Sequence, residues 1–362
     1  MKIVIKIGTK LVVPDKTYSI DLNYIEKVVS QLSHLYNLGI QIILVSSGAI
    51  AIGQKHINEL MINKNTINRQ MLSTIGQVEL INTYRKFFKT QGITISQVLF
   101  THGDLYKSIK YFNIANILNM LIENNIIPIV NQNDVIADVD EADKTMIGNN
   151  DILAALVSNM INADFLILLT DQSGLYTSDP RINNNAKLIK KISVIKNSIQ
   201  KIAGESSSGI GTGGMISKIQ AANIARFSGT ETIILSGYNL ENLLNITKNK
   251  EFLGTRFLSK TDFNISYQQR WILVAPISGK LQISNEIVNK ITKTKSITID
   301  DILQINGRFN QGSVLSIINQ DNKEIAKGIT KYNSYDIIKL KDEGLKDNCK
   351  IIIHHRNIIL LL

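Results

Sequence analysis

Cysteine is nearly absent: Cys349 is the single one in 362 residues. That excludes an internal disulfide framework and any zinc site built on several thiolates. Histidine is scarce too, at His34, His56, His102, His354 and His355, and no HExxH pattern is present. Cys349 with His354 and His355 spells C-x4-H-H, which lacks a second thiolate and reads as a solvated strand end. No metal held by protein side chains is therefore expected. Only 4 prolines are found, too few for a proline-rich spacer or fibre. No apolar run approaches the ~18 residues that a membrane span needs. No signal peptide is read either, because Met1-Lys2-Ile3-Val4-Ile5-Lys6 reads directly as a strand. A cytoplasmic protein with no membrane partner is expected.

Hydrophobic residues make up 44% of the chain, enough for sizeable cores, and 362 residues fit about two domains. Lys and Arg total 40 against 30 Asp and Glu, a net charge of +10. That charge permits nucleic acid or anionic substrates, but it also follows from a chain crowded with Ile, Asn and Lys.

Apolar runs alternate with helical patterns over the first 255 residues. Strands are expected at Ile3–Ile7, Ile40–Val45, Ile93–Leu99, Ile126–Val130, Phe165–Leu169 and Ile233–Leu235, and helices at Leu22–Leu38 and Ile152–Met160. Strands that read as unbroken apolar runs between helices predict a mainly parallel sheet covered on both faces, a three-layer αβα fold. In such sheets ligands sit beyond the carboxyl ends of the strands. Those ends carry Gly8-Thr9, Ser47-Gly48, Asn131/Asn133/Asp134 and Thr170-Asp171. Residues 256–269 read as a linker, and 270–362 as a small β-rich domain with short runs at Trp271–Ala275, Lys280–Ile283, Val314–Ile318, Ile325–Ile329, Ile337–Leu340 and Ile351–His354.

Ser208-Gly209-Ile210-Gly211-Thr212-Gly213-Gly214-Met215-Ile216-Ser217-Lys218 places four glycines before a helix that runs to about Phe227. Glycines turn backbone N–H groups toward an anion, and a helix N-terminus favours negative charge. Two familiar nucleotide loops fail on context. No strand precedes Gly209, Gly211 and Gly214, and Gly214-Met215 replaces the Gly-Lys-Ser/Thr of a Walker A loop. Lys6, inside an otherwise apolar strand, is costly to bury without a partner. With Lys218 it could neutralise a transferring phosphoryl group, whose catalysis is mainly positioning and electrostatics. Asn131-Gln132-Asn133-Asp134 and Gly148-Asn149-Asn150-Asp151 offer amides and carboxylates that could hold an amino acid, although turn chemistry and helix capping account for them equally well. Ser46-Ser47-Gly48 offers a hydroxyl and backbone N–H groups for a substrate carboxylate, with no histidine arranged as in a serine hydrolase.

Together, Val4–Thr9, Val45–Gly53, Asn131–Asp134, Gly148–Asp151, Leu168–Asp171 through Gly174–Tyr176, Asp179–Arg181 and Gly211–Lys218 resemble the amino acid kinase family, closest to its members that act on glutamate. The tail, through Arg270-Trp271, Gly307–Phe309 and Gly328–Tyr332, resembles a PUA domain. The resemblance implies ATP-dependent phosphorylation of the γ-carboxylate of L-glutamate, the first step of proline biosynthesis. It implies catalytic roles for Lys6, Lys218 and Asp151, with Asp151 orienting the lysines. Ser47, Asp134, Asn149 and Asn150 would bind glutamate. Lys6, Gly8, Thr170, Asp171, Thr212, Gly213, Gly214, Met215 and Lys218 would bind ATP, with Mg2+ held through the phosphates. It further implies a homo-oligomer, dimer or tetramer, inhibited by proline near the glutamate site and the helical region Gln54–Tyr84.

The chain departs from the family's usual pattern at three places: Gln132 and Asn149 stand where acids are usual, and Lys10 where a serine is. Weaker glutamate binding with intact phosphoryl chemistry is the expected consequence. Another small carboxylate or carbamate as substrate remains an alternative. So does an RNA-binding or regulatory protein on a decayed kinase scaffold, since residues 256–362 carry 16 Lys and Arg against 10 Asp and Glu.

Overall fold

The computed structural model describes residues 1–14, 17–59, 68–137, 149–195, 199, 214–260, 265–288, 291, 295–342 and 350–361. The chain divides into two compact units. One comprises Met1–Asp104 with Ile109–Phe263, and the other Leu105–Ser108 with Asn264–Leu362.

The first unit is built on an eight-stranded sheet in the order β3-β4-β2-β1-β5-β7-β8-β6. Its strands are β1 (Lys2–Ile7), β2 (Gln41–Ser46), β3 (Ile95–Phe100), β4 (Ile127–Gln132), β5 (Phe165–Thr170), β6 (Lys191–Ile192), β7 (Glu231–Ser236) and β8 (Gly254–Phe257). Strands β3 through β7 in that order run parallel, and β8 turns antiparallel to β7. In β1, β2, β5 and β7 every residue after the first is buried, as the unbroken apolar runs require of strands covered on both faces.

Side chains alternate across β1. Ile3, Ile5 and Ile7 enter a core shared with Val28, Leu32 and Leu35 of helix α2 (Leu22–Asn37). Helix α2 begins where Asp21 accepts from the Tyr24 N–H at 2.9 Å and stops at Gly39, whose φ of +78° suits glycine. Val4 and Lys6 therefore face the other side of the sheet, toward helix α7 (Asn150–Ile161). Helix α7 is buried at every position from Asp151 to Ile161 and also packs on α8 (Met215–Phe227). The sheet with α2 on one face and α7 on the other is the three-layer αβα arrangement expected from the sequence.

Helices α3 (Ala49–Glu59) and α4 (Arg69–Thr90) form an antiparallel pair. They touch backbone to backbone: a Cβ on Gly53 would lie 1.9 Å from the Leu72 carbonyl oxygen, and one on Gly76 would lie 1.9 Å from that of Ala49. No side chain larger than hydrogen fits either position.

The second unit holds a five-stranded sheet ordered β11-β9-β12-β13-β15, made from β9 (Gly279–Ile283), β11 (Ile302–Asn306), β12 (Val314–Ile318), β13 (Glu324–Ile329) and β15 (Ile358–Leu360). A two-stranded ribbon pairs β10 (Ile297–Thr298) with β14 (Ile351–Ile353). Its core is mainly aliphatic, with Leu281, Ile283, Leu315, Ile317, Ile325, Ile352 and Ile353 joined by Phe309. Two expected strand runs are helical instead. Trp271–Ala275 falls mostly in the helix Tyr267–Val274, which a capping box of Ser266 and Gln269 initiates. Ile337–Leu340 lies in the helix Ser334–Asp342, opened where Asn333 accepts from the Asp336 N–H at 2.8 Å. In both, cap chemistry upstream outweighs the β-preferring residues that follow. Residues 256–269, expected as a linker, begin inside β8 and end inside the helix Tyr267–Val274. No described helix is long and apolar enough to cross a membrane.

Candidate active site

Lys6 leaves β1 one residue before the strand ends, on the face covered by α7. There it meets Asp151, the second residue of α7. Lys6 Nζ lies 2.7 Å from Asp151 Oδ1, and Lys218 Nζ, from the first turns of α8, lies 3.1 Å from Asp151 Oδ2. Ser217 donates its hydroxyl to Asp151 Oδ2 at 2.7 Å, with the Gly214 carbonyl 2.8 Å away as its other acceptor. All three ions are buried: Asp151 is 0% exposed, Lys218 5% and Lys6 6%.

The electrostatics follow from that crowding. Burial pushes the Asp151 carboxyl up, but the Lys218 and Lys6 ammonium groups outweigh it and hold the group well below the ordinary carboxylate range. For Lys6, burial is the leading effect and the Lys218 charge adds to it, so its pKa falls despite the attraction of Asp151. One carboxylate thus holds two desolvated cations at the carboxyl end of the central strand. An isolated buried ion would cost several kcal/mol, and this trio is tolerable because each member satisfies another.

The residues expected to bind an amino acid gather beside the trio. Asn150 Nδ2 donates to Ser47 Oγ at 2.8 Å, to Asn131 Oδ1 at 2.9 Å and to the Ser46 carbonyl at 3.2 Å. Asp134 accepts from Ser73 Oγ at 2.5 Å. Burial raises the Asp134 pKa, and the Ser73 bond and nearby Arg69 work against that rise. Asn149 stands just before α7. It is buried and caps α7, its Oδ1 accepting from the Asp151 N–H at 3.0 Å. An amide performs that capping as well as a carboxylate does.

The expected nucleotide residues are spread around the same strand ends. Thr170 closes β5 and donates to Asp171 Oδ1 at 3.0 Å, while the Thr170 carbonyl accepts from the Gly237 N–H at 2.7 Å. Gly214 caps α8 without a side chain, and Met215 begins the helix. Thr212 and Gly213 lie outside the described residues, as do Gly148 and Cys349. Gly8 follows the end of β1. Its φ is −70°, and its N–H donates to the Leu169 carbonyl at 3.2 Å, tying β1 to β5.

Three further residues bear on the site without having been singled out from the sequence as functional: Ser217, Ser73 and Gln77. Gln77 Oε1 accepts from Asn131 Nδ2 at 2.8 Å. The available signal was spacing. Ser73 and Gln77 are polar, one turn apart, and lie on the same side of α4 as the buried Leu72, Leu80 and Tyr84.

This geometry agrees with the comparisons to known proteins. The amino acid kinase family model matches residues 1–236, and the PUA domain model matches residues 279–353. The glutamate 5-kinase of Aliivibrio salmonicida is 39% identical over 347 residues, covering 95% of this chain and 92% of its own length. That of Vibrio parahaemolyticus is 38% identical over 354 residues, 97% of this chain and 92% of its own. Among solved structures, a carbamate kinase from Giardia lamblia bound to AMP-PNP superposes with a TM-score of 0.52 at 16% identity, over 72% of this chain and 98% of that one, a likeness of fold. The chain belongs to the amino acid kinase family, in its glutamate 5-kinase branch, with a PUA domain following the kinase domain.

Proposed function

We propose that this protein transfers the γ-phosphoryl group of ATP to the γ-carboxylate of L-glutamate, giving L-glutamyl 5-phosphate and ADP, the first step of proline biosynthesis. The observation that carries this reading is the buried trio Lys6–Asp151–Lys218, set beside Ser47, Asn150 and Asp134 at the carboxyl ends of β1, β2 and β4. A carboxylate oxygen of glutamate attacks the γ-phosphorus, a new O–P bond forms, and the bond from that phosphorus to the bridging oxygen breaks, releasing ADP. Glutamate's carboxylate is already ionised at neutral pH, so no general base is required. Lys6 and Lys218 neutralise charge on the transferring group, and Asp151 keeps the two ammonium groups aimed together. Asp134 supplies negative charge for the substrate ammonium, while Ser47 and Asn150 orient the substrate. Thr170, Asp171 and the loop through Thr212, Gly213, Gly214 and Met215 hold ATP.

Both oxygens of Asp151 are engaged by lysines, and the described residues include no group of three or more His, Cys, Asp or Glu side chains able to hold a metal ion. That donor set suits Mg2+ carried on the nucleotide's phosphates, where it would screen phosphate charge. A cytoplasmic homo-oligomer inhibited by proline at the glutamate site completes this reading.

A scaffold without phosphoryl-transfer duty would gain stability by replacing the buried ions with apolar side chains. Their presence favours an active kinase over a decayed one. The test incubates the protein with ATP, magnesium and each candidate acid, traps acyl phosphate with hydroxylamine and follows ADP. Turnover with glutamate alone is expected. Turnover only with another acid, or with none, rejects the proposal.

A further inference from the structure

Asn131 Oδ1 accepts from the backbone N–H of Gln132 at 2.9 Å, which fixes which end of its amide is oxygen. Its Nδ2 must then face Gln77, whose Oε1 accepts it at 2.8 Å. Asn150 is fixed as firmly. Its Nδ2 donates to the Ser46 carbonyl as well as to Asn131 and Ser47. Donation runs from Asn150 of α7 to Asn131 of β4 and on to Gln77 of α4, and separately from Asn150 to Ser46 and Ser47. The polarity has an outcome: Asn150 Oδ1 is left buried and without a partner among the described residues.

We infer that Gln77 is a positioning residue for the amino-acid pocket, setting the amide of Asn131 and through it the orientation of Asn150, so that Asn150 Oδ1 is presented to an N–H donor of the substrate. The donor of matching chemistry is the α-ammonium of an amino acid, so the inference rests on the glutamate reading. Gln77 is itself held in place by the glycine contact. Gly76 precedes it, and the close approach of α4 to α3 leaves the helix no freedom to withdraw. Asn131 is almost fully buried, so without Gln77 its Nδ2 loses its acceptor and the amide turns to find another.

The experiment compares Gln77→Met, which removes the acceptor at similar volume, with Gln77→Glu, which keeps an acceptor oxygen. For Q77M the glutamate KM is expected to rise about tenfold with the ATP KM within about twofold, the pattern of a lost substrate-binding interaction. Q77E is expected to bring the glutamate KM back to within about threefold of wild type. An unchanged glutamate KM in Q77M, or an equal rise in both variants at wild-type melting temperature, overturns the inference. Should Q77M fail to fold, Gln77→Ala, which also removes the acceptor, takes its place under the same criterion. Crystal structures separate this inference from the glutamate reading, because they need no turnover. The 2.8 Å contact from Asn150 Nδ2 to Ser47 Oγ should survive in Q77E and break in a folded Q77M, and its survival in both rejects a positioning role whatever the true substrate is.

Discussion

Both units bury an aspartate beside lysine, and the two pairings differ in reach. In the second unit Asp301 accepts from the Thr298 N–H and hydroxyl, both at 2.9 Å, and pairs with Lys295 at 3.2 Å. Every one of those partners lies within six residues. Asp301 fastens a turn, and the local fold accounts for it completely. In the first unit Asp151 takes Lys6 from the first strand and Lys218 from a helix 67 residues downstream. No turn is fastened by that arrangement. It gathers desolvated cations that apolar packing would do better without. A buried charge explained by its chain neighbours belongs to the fold, and one assembled from distant elements points to chemistry.

The sharpest way to break this contrast is to remove the cations. K6M and K218M should each lower kcat about 10²–10³-fold, as loss of one transition-state donor does elsewhere. A kcat within threefold of wild type would place the trio outside the reaction. Next comes removal of the anions. D151A leaves two ammonium groups uncompensated and should cost about 3–5 kcal/mol in urea unfolding. D301A should cost about 1 kcal/mol, as loss of a cap does, with turnover unchanged. Equal losses would erase the distinction. The pH dependence carries the same sign. Because the folded Asp151 pKa lies below its ordinary 3.8, its stabilisation is complete above 3.8 and fades as pH falls through the depressed folded value. The stability gap between wild type and D151N should therefore hold from neutral pH down toward 3.8 and shrink only below it.

A glycine pair extends the comparison. G76A drives a methyl into the Ala49 carbonyl and should destabilise by about 1–3 kcal/mol while raising the glutamate KM. Gly312 in the second unit has φ of +82° and open space around it, so G312A should show backbone strain of about 1–2 kcal/mol and wild-type kinetics. The smallest effect belongs to N149D. Aspartate caps α7 as well as asparagine, so melting should move by about 0.5 kcal/mol or less. The added negative charge should lower the glutamate KM. No improvement would show that the amide at this position does not weaken binding.

The sheet was legible because its strands are buried on both faces, which leaves an unbroken apolar signature that polar loops cannot imitate. Lys6 was legible for the same reason, as a charge interrupting such a run. The roles of Ser73 and Gln77 were not. A polar residue one turn from another on a mostly solvated helix looks like surface, and only the glycine crossing with α3 turns that face inward. The capping role of Asn149 was hidden for a related reason. The pattern of amides and acids before α7 does not say which member caps the helix, because any Asn or Asp there can accept from the backbone. The helices Tyr267–Val274 and Ser334–Asp342 were masked by Ile, Leu and Val, whose strand preference is weaker than a well-formed cap.

The ionic trio has a consequence for how the protein behaves before it reacts. Two ammonium groups and one carboxylate sum to a single unit of positive charge in a nearly dry pocket, which favours the approach of an anion. The triphosphate tail of the nucleotide is the natural candidate. Heat resistance should then respond more to ATP than to the amino acid, with the cosubstrate acting as the electrostatic keystone of the domain that uses it.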